Sequence, residues 1–279
     1  MLALVMLAIW QLSGWRASRR TLLVGLVAAL LLLGESAPAR GGSQLYPDLR
    51  TLPPSDLHFA EELIDGATHH VLRFAVTIWN AGQGPLELRG VSSSDTATTL
   101  VLQRVYDETS EVAELPVGGF VYHEAHNHWH FEQFAEYQLW TRGEFDRWVL
   151  SGRTEGEPGW RGSKTTGQGE SFCIRDSRRI ASLPNSPRTR GYNDCGHDLQ
   201  GVSVGWGDTY ASYLPEQWID LGEAPLPNGD YALRVIADPA ERLYESASKE
   251  DPSRDGPLVN EAVVFFNVRG DRVRVRPSP

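Results

Sequence analysis

Apolar and polar side chains alternate with a period of about two along much of the chain beyond residue 45. In Leu72-Arg73-Phe74-Ala75-Val76-Thr77-Ile78-Trp79 the apolar positions 72, 74, 76 and 78 recur at every second residue, which predicts a half-buried strand. Asn80-Ala81-Gly82-Gln83-Gly84-Pro85 breaks the pattern and Leu86-Glu87-Leu88 resumes it, so the reading here is a hairpin. Further strands are predicted at Thr99–Tyr106, Gly119–Tyr122, His128–Trp140, Trp218–Leu221, Tyr231–Ala237 and Val259–Val268. No window of eleven or more residues holds a clean 3.6-residue apolar period. The Gly-, Ser- and charge-rich stretch Ser151–Gly169 and the Arg- and Pro-containing stretch Asp176–Asn193 read as long exposed loops. Short strands between Gly, Pro and Asn turns predict an all-β fold, an antiparallel β-sandwich or barrel with long loops, the sandwich being preferred. No internal repeat or linker divides it, so residues 40–279 read as one domain.

The first 39 residues have a different pattern. Arg19-Arg20 precede an uncharged run, Leu22 to Leu33, and Ser36-Ala37-Pro38-Ala39 follows, in the order of an exported protein's signal peptide. Ser18-Arg19-Arg20-Thr21-Leu22-Leu23 also resembles a twin-arginine signal. The preceding apolar run, Leu2–Leu12, leaves two readings open: an upstream extension from a misplaced start, or one arm of a membrane hairpin. Neither run reaches the roughly 20 residues of a comfortable span, so a cleaved signal is preferred to membrane anchoring through residues 2–34. The expected location is therefore exported: periplasmic, cell-surface or secreted.

Composition narrows the function. The 279 residues include 41% hydrophobic side chains and carry a net charge of −10. That is enough apolar material for a core, with no basic stripe for a nucleic-acid phosphate backbone. The 26 basic residues comprise 24 Arg and two Lys, Lys164 and Lys249, so lysine chemistry has few candidates. Export places the two cysteines in an oxidising compartment, where Cys173 and Cys195 are expected to pair. The closed loop of about 20 residues contributes roughly 3 kcal/mol on the chain-entropy account. A metal thiolate or two free thiols are the alternatives.

Four of the eight histidines fall in Tyr122-His123-Glu124-Ala125-His126-Asn127-His128-Trp129-His130. On a strand, positions i, i+2 and i+4 share a face, which would put His126, His128 and His130 on one side of a sheet as a metal site with open positions. Trp129, Phe131 and Phe134 interleave with them, as suits a half-buried strand. Three imidazoles suit zinc, copper or iron, and the order of divalent affinities favours copper where it is available. A second concentration, Gly201–Leu221, places Tyr210 among Gly, Trp and acidic residues. Its structural reading is an aromatic core, and its functional reading is a phenol beside the metal that copper and dioxygen oxidise to a quinone.

These segments resemble one family. His123-Glu124-Ala125-His126-Asn127-His128-Trp129-His130 resembles the copper-binding stretch of the lysyl oxidases. Asp208-Thr209-Tyr210, a six-residue gap and Gln217-Trp218-Ile219-Asp220 are similar to the segment around that family's quinone-forming tyrosine. Ser171-Phe172-Cys173-Ile174-Arg175-Asp176, Pro227-Asn228-Gly229-Asp230-Tyr231 and Tyr244-Glu245-Ser246 resemble further family blocks, so the likeness runs in order from about residue 46 to 268. The scarcity of cysteine looks like the family's bacterial branch.

The resemblance implies a copper amine oxidase on a β-sandwich, an oxidoreductase acting on CH–NH2 donors with oxygen as acceptor. His126, His128 and His130 would hold copper, and Tyr210 would become a lysine tyrosylquinone. The substrate would be a primary amine, such as the lysine of a partner protein, with dioxygen reduced to hydrogen peroxide. One departure stands out. The family's cross-linking lysine sits four residues before the cysteine of the Ser-Phe-Cys block, where this chain has Gly169. Lys164, nine residues before Cys173, either replaces it by a shift of register or is a solvated surface charge. If Lys164 does not reach Tyr210, the quinone is a plain hydroxylated tyrosine or does not form. His123 reads as a partner of the ligands, a proton shuttle or a structural residue. His197 reads as a neighbour of the site once the disulfide closes, and Asp208 and Asp220 as base, imidazole orienter or turn residues. Two other classes compete: a catalytically silent copper-binding sandwich, and a zinc or iron hydrolase or oxygenase, for which the sequence offers no clear carboxylate ligand.

Overall fold

A computed structural model describes residues 43–91, 98–162, 165–166, 169–246 and 260–276. The signal segment 1–39 and Lys164 lie outside the described residues. The domain is a sandwich of two antiparallel sheets. Its main strands are β1 (Ser55–Ile64), β2 (Ala67–Asn80), β3 (Leu86–Val91), β4 (Thr98–Asp107), β5 (Val112–His123), β6 (His128–Thr141) and β7 (Gly169–Phe172). These are followed by β8 (Leu199–Val202), β9 (Trp206–Tyr210), β10 (Trp218–Gly222), β11 (Gly229–Ala237), β12 (Glu261–Arg269) and β13 (Arg272–Val275). The larger sheet runs β8-β3-β4-β5-β6-β11-β12-β13, with β7 also on β6. The smaller is built on β2, which pairs β1 on residues 67–75, β9 near its C-terminal end and β10 near its N-terminal end.

The core lies between the sheets. Phe74 of β2 meets Tyr137 of β6 edge-on at 4.9 Å, and Phe120, Phe131, Phe134, Phe172 and Phe266 are fully buried around them. Burying each such ring contributes about 2–3 kcal/mol of transfer free energy. The alternation in β2 is the cause: Leu72, Phe74, Val76 and Ile78 are the buried positions that join this core.

The expected strands all appear, several of them longer than read from the sequence, but the expected hairpin at Asn80–Pro85 does not. β2 belongs to the smaller sheet and β3 to the larger, so this turn carries the chain from one layer to the other. Pattern alone cannot separate a hairpin from a crossover, because either inserts a polar break between two apolar strands. The buried Asn80 side chain decides the outcome. Its Oδ1 accepts from Asp48 and Gly82 N–H at 3.1 and 2.9 Å, and its Nδ2 donates to Gly84 and Val202 carbonyls at 2.9 and 3.1 Å.

A short helix, α1 (Arg142–Leu150), follows β6. At nine residues it is too short for the periodicity window, yet Thr141-Arg142-Gly143-Glu144 has the sequence of a capping box, with Thr141 as the N-cap. The Thr141 Oγ1 accepts from Glu144 N–H at 3.4 Å and donates to the Glu144 carboxylate at 2.6 Å. Phe145 and Trp148 pack on Trp140 of the larger sheet in a cluster separate from the main core. The segment read as a loop at Ser151–Gly169 contains a two-residue strand, Trp160–Arg161, against β6, and Thr165–Thr166 pairs with β7. Among the described residues no helix is long and apolar enough to cross a membrane.

Candidate metal centre

The histidine block forms the tip and descending arm of the β5–β6 hairpin. His123 pairs with His128, leaving Glu124-Ala125-His126-Asn127 as the loop. His126 N–H donates to the His123 carbonyl at 3.2 Å and Asn127 takes a left-handed conformation at φ 54°. The expectation that His126, His128 and His130 share one strand face is therefore corrected, because His126 sits in the turn. Only His128 and His130 share a face by strand alternation, and the tight turn folds His126 back toward them.

The imidazoles still converge. His130, fully buried, presents Nε2 at 2.9 Å from His128 Nε2 and 3.2 Å from His126 Nδ1. Two nitrogens about 2.0–2.1 Å from one ion, at angles from square to tetrahedral, stand roughly 2.9–3.4 Å apart. The observed spacings fit that range, so the donor set suits a borderline divalent ion such as copper or zinc. Outer contacts orient the rings. His126 Nε2 lies 3.2 Å from the Pro215 carbonyl, which can only accept, so the hydrogen rests on Nε2 and Nδ1 turns its lone pair inward. His130 Nδ1 lies 3.3 Å from Ser171 Oγ.

His123 belongs to this cluster as well. Its ring stacks on His130 at 4.7 Å and 13°, and its Nε2 lies 3.0 Å from the Glu216 carboxylate. Its Nδ1 is buried with no partner among the described residues. Donor atoms of His123, His126 and His130 lie within 4.8 Å of one another, and those of His128, Cys173 and Cys195 form a second such group. The sequence weighed His123 without placing it; its signal was that it occupies the last strand residue before the turn, cross-strand from His128.

A cavity of about 310 Å³ opens beside the hairpin. His126 and His128 line it together with Tyr210, Asp208, Arg175 and both cysteines. Cys173 and Cys195 form the expected disulfide. Tyr210 ends β9, its ring edge-on to Phe172 at 4.2 Å, and its hydroxyl donates to the Cys173 carbonyl. Burial, and then the nearby Asp208 carboxylate, push its phenol well above the ordinary tyrosine range. Asp208 is itself buried, and desolvation raises it to about 7 against the Arg175 N–H bond that lowers it. The rim loop after β9 is held by Arg73, whose Nη1 donates to the Ser212 and Leu214 carbonyls at 2.7 and 3.1 Å.

Other singled-out residues lie elsewhere. His197 stacks on Trp129, which alternates with His128 and His130 and so faces away from them. Asp220 meets His69 at 2.9 Å and accepts from Gly222 N–H, a structural pairing.

Fold and site define a β-sandwich with a histidine-lined hairpin and a half-buried, cavity-facing tyrosine. Residues 160–254 match the family model described as lysyl oxidase, a segment that holds both cysteines and Tyr210. The chain is 30% identical over 129 residues to lysyl oxidase homolog 4 of Bos taurus, covering 46% of this chain and 14% of that protein. Lysyl oxidase homolog 2 of Gallus gallus is 28% identical over 128 residues, 46% of this chain and 13% of that protein. Lysyl oxidase homolog 4 of Homo sapiens is 30% identical over 128 residues, 46% of this chain and 14% of that protein. Over these segments the chain is similar to the lysyl oxidases, and it spans about 14% of the length of these relatives.

Proposed function

We propose that this chain is an exported, copper-dependent amine oxidase. It converts a primary amine, the side chain of a protein-bound lysine included, to an aldehyde while dioxygen is reduced to hydrogen peroxide. The observation that carries this reading is the shared cavity, lined by His126 and His128 and by Tyr210. The match of residues 160–254 to the lysyl oxidase family model and the 30% identity to lysyl oxidase homolog 4 support it. In this reading His126, His128 and His130 hold copper. Tyr210 is the quinone precursor, with Lys164 as its cross-linking partner.

Copper and the quinone supply the two-electron chemistry and the return of electrons to dioxygen. The chain's residues supply the rest. The Pro215 carbonyl and Ser171 Oγ fix the ring orientations of His126 and His130. The Cys173 carbonyl and the edge of Phe172 hold the Tyr210 ring at the cavity wall. Asp208, raised to about 7, takes up or returns a proton beside Tyr210 near neutral pH. Leu214, Pro215 and Ala125 narrow the cavity against bulk water, and the net charge of −10 attracts cationic amines.

Copper-loading the purified protein in air tests the proposal. The expected result is a visible quinone absorption, redox cycling with nitroblue tetrazolium, a mass-modified Tyr210 peptide and hydrogen peroxide release on adding an alkyl amine. A second reading, a catalytically silent copper-binding sandwich, is favoured by Gly169 at the place of the family's lysine. Bound copper with an unmodified Tyr210 peptide decides for that second reading.

A further inference from the structure

The disulfide closes a wall of the cavity rather than a remote loop, and its sulfurs lie close to an imidazole. His128, Cys173 and Cys195 offer donor atoms within 4.8 Å of one another, and all three side chains line the same open cavity. We propose that in the dithiol form of the protein these three residues bind a thiophilic d10 ion, Cu(I) or Zn(II), and that disulfide formation abolishes the site. The balance is simple. A dithiol reductant delivers two electrons and two protons to the Cys173–Cys195 bond and is itself oxidised to a disulfide. The incoming ion then displaces both thiol protons.

Geometry supports it. Sulfurs about 2.3 Å from a tetrahedral ion stand roughly 3.7 Å apart, a separation that rotation about the Cα–Cβ bonds supplies from Cα atoms 5.3 Å apart. The backbone on either side is held without the S–S bond. Ile174 N–H donates to Gln200 Oε1 at 2.8 Å, Tyr210 donates to the Cys173 carbonyl, and Trp129 N–H donates to the Cys195 carbonyl at 2.9 Å. The fourth position faces the cavity. His128 also stands 2.9 Å from His130, so it is shared by the thiolate site and the imidazole cluster. When an oxidised dithiol (a disulfide compound) accepts two electrons and the Cys173–Cys195 bond re-forms, an ion held by the thiolates is thereby released next to the histidines. No quinone and no amine enters this proposal, so it stands or falls separately from the oxidase reading.

The experiment compares the full chain, oxidised and dithiol-reduced, under anaerobic conditions with Co(II) as a spectroscopic probe. Sulfur-to-cobalt charge-transfer absorption is expected only in the reduced protein. Zn(II) is expected to displace the cobalt and to protect both thiols from alkylation. His128→Gln is expected to weaken the sulfur-to-cobalt band and Zn(II) protection of the thiols in the reduced form about 10-fold or more, whereas His197→Gln, stacked on Trp129 on the other face of the strand, leaves both within about two-fold. Absence of the charge-transfer band in reduced protein that keeps its near-ultraviolet circular dichroism would overturn the proposal. So would unchanged Zn(II) affinity in His128→Gln, or loss of the folded signal on reduction, since the site exists only on the folded scaffold.

Discussion

Two kinds of buried polar group meet at the β5–β6 hairpin and its surroundings. In one, every contact joins a donor to an acceptor. Asp176 accepts from Ser203 N–H and Oγ at 2.8 and 2.6 Å and from Gly191 N–H at 2.7 Å. Gln200 accepts from Ile174 N–H and donates to the Trp129 and Gly196 carbonyls. In the imidazole cluster, nitrogen faces nitrogen, at 2.9 Å between His128 and His130 and at 3.2 Å between His126 and His130. The first arrangement is complete without a ligand. In the second, donor and acceptor roles depend on the tautomer of each ring, and a bound cation would take up the lone pairs turned toward it. The contrast separates residues that hold the wall from residues that use it, and substitutions should sort accordingly.

Asp176→Ala should have the largest effect. It strands the Ser203 N–H and hydroxyl in the interior and removes the acceptor of the more exposed Gly191 N–H, and each unsatisfied buried group costs roughly 1–3 kcal/mol. We expect a loss of about 3 kcal/mol or more, read as a lower urea midpoint, with copper affinity unchanged in the protein that remains folded. An unaltered midpoint would place Asp176 in the wrong class.

His126→Ala should do the reverse. The residue sits in the hairpin turn and is only half-buried, so its removal is expected to shift stability by less than about 1 kcal/mol. Copper(II) affinity, measured by chelator competition, should fall on the order of 100-fold, beyond the 10–100-fold lost with an outer partner alone. A copper affinity that did not move would remove His126 from the ligand set.

The sequence exposes these two classes unequally. The period of two in β2 and the HxHxH spacing were both legible, because strand alternation and imidazole chemistry are local. The sandwich layers were legible as a class, but the crossing at Asn80–Pro85 was not. It depends on bonds from Asn80 to Asp48 and Val202, residues 32 and 122 positions away. Likewise His126 was read as a strand residue because spacing does not reveal where a hairpin turns. His123 entered the cluster through cross-strand pairing with His128, which only register supplies. The strands at Ser55–Ile64 and Trp206–Tyr210 were missed, the one rich in Asp and Glu and the other carrying Gly207 and Asp208, all residues that are weak strand formers in isolation.

Two carboxyls stand between the classes, hydrogen-bonded yet shifted by burial. Asp208 is raised to about 7 and Glu245 to about 8, desolvation being the first cause for both. Their folded values lie above the unfolded ones near 4. The fold therefore retains protons that the unfolded chain has released, and stability falls as pH rises from about 4 through 7 to 8. While still protonated in the fold, each group contributes on the order of 1 kcal/mol per pH unit to that decline. Asp208→Asn should remove its share, flattening the slope of unfolding free energy between pH 5 and 7. A slope equal to wild type would mean that Asp208 ionises normally and is no proton carrier for Tyr210.

The smallest expected effect tests the join between the classes. Ser171 belongs to the Ser-Phe-Cys block and is buried, and its hydroxyl lies 3.3 Å from His130 Nδ1 on the side away from the cluster. β7 brings it there by pairing Phe172 with Phe131, next to His130. If the hydroxyl only fills space, Ser171→Ala changes neither stability nor metal binding. If it sets the orientation of the central imidazole, copper(II) affinity falls by about 10-fold at most, with a change of roughly 0.5 kcal/mol or less in unfolding free energy. We expect the second result, with Ser171→Thr restoring affinity, because the contact is made by the oxygen and Thr keeps it. Loss of affinity in both variants would assign the effect to packing in the strand.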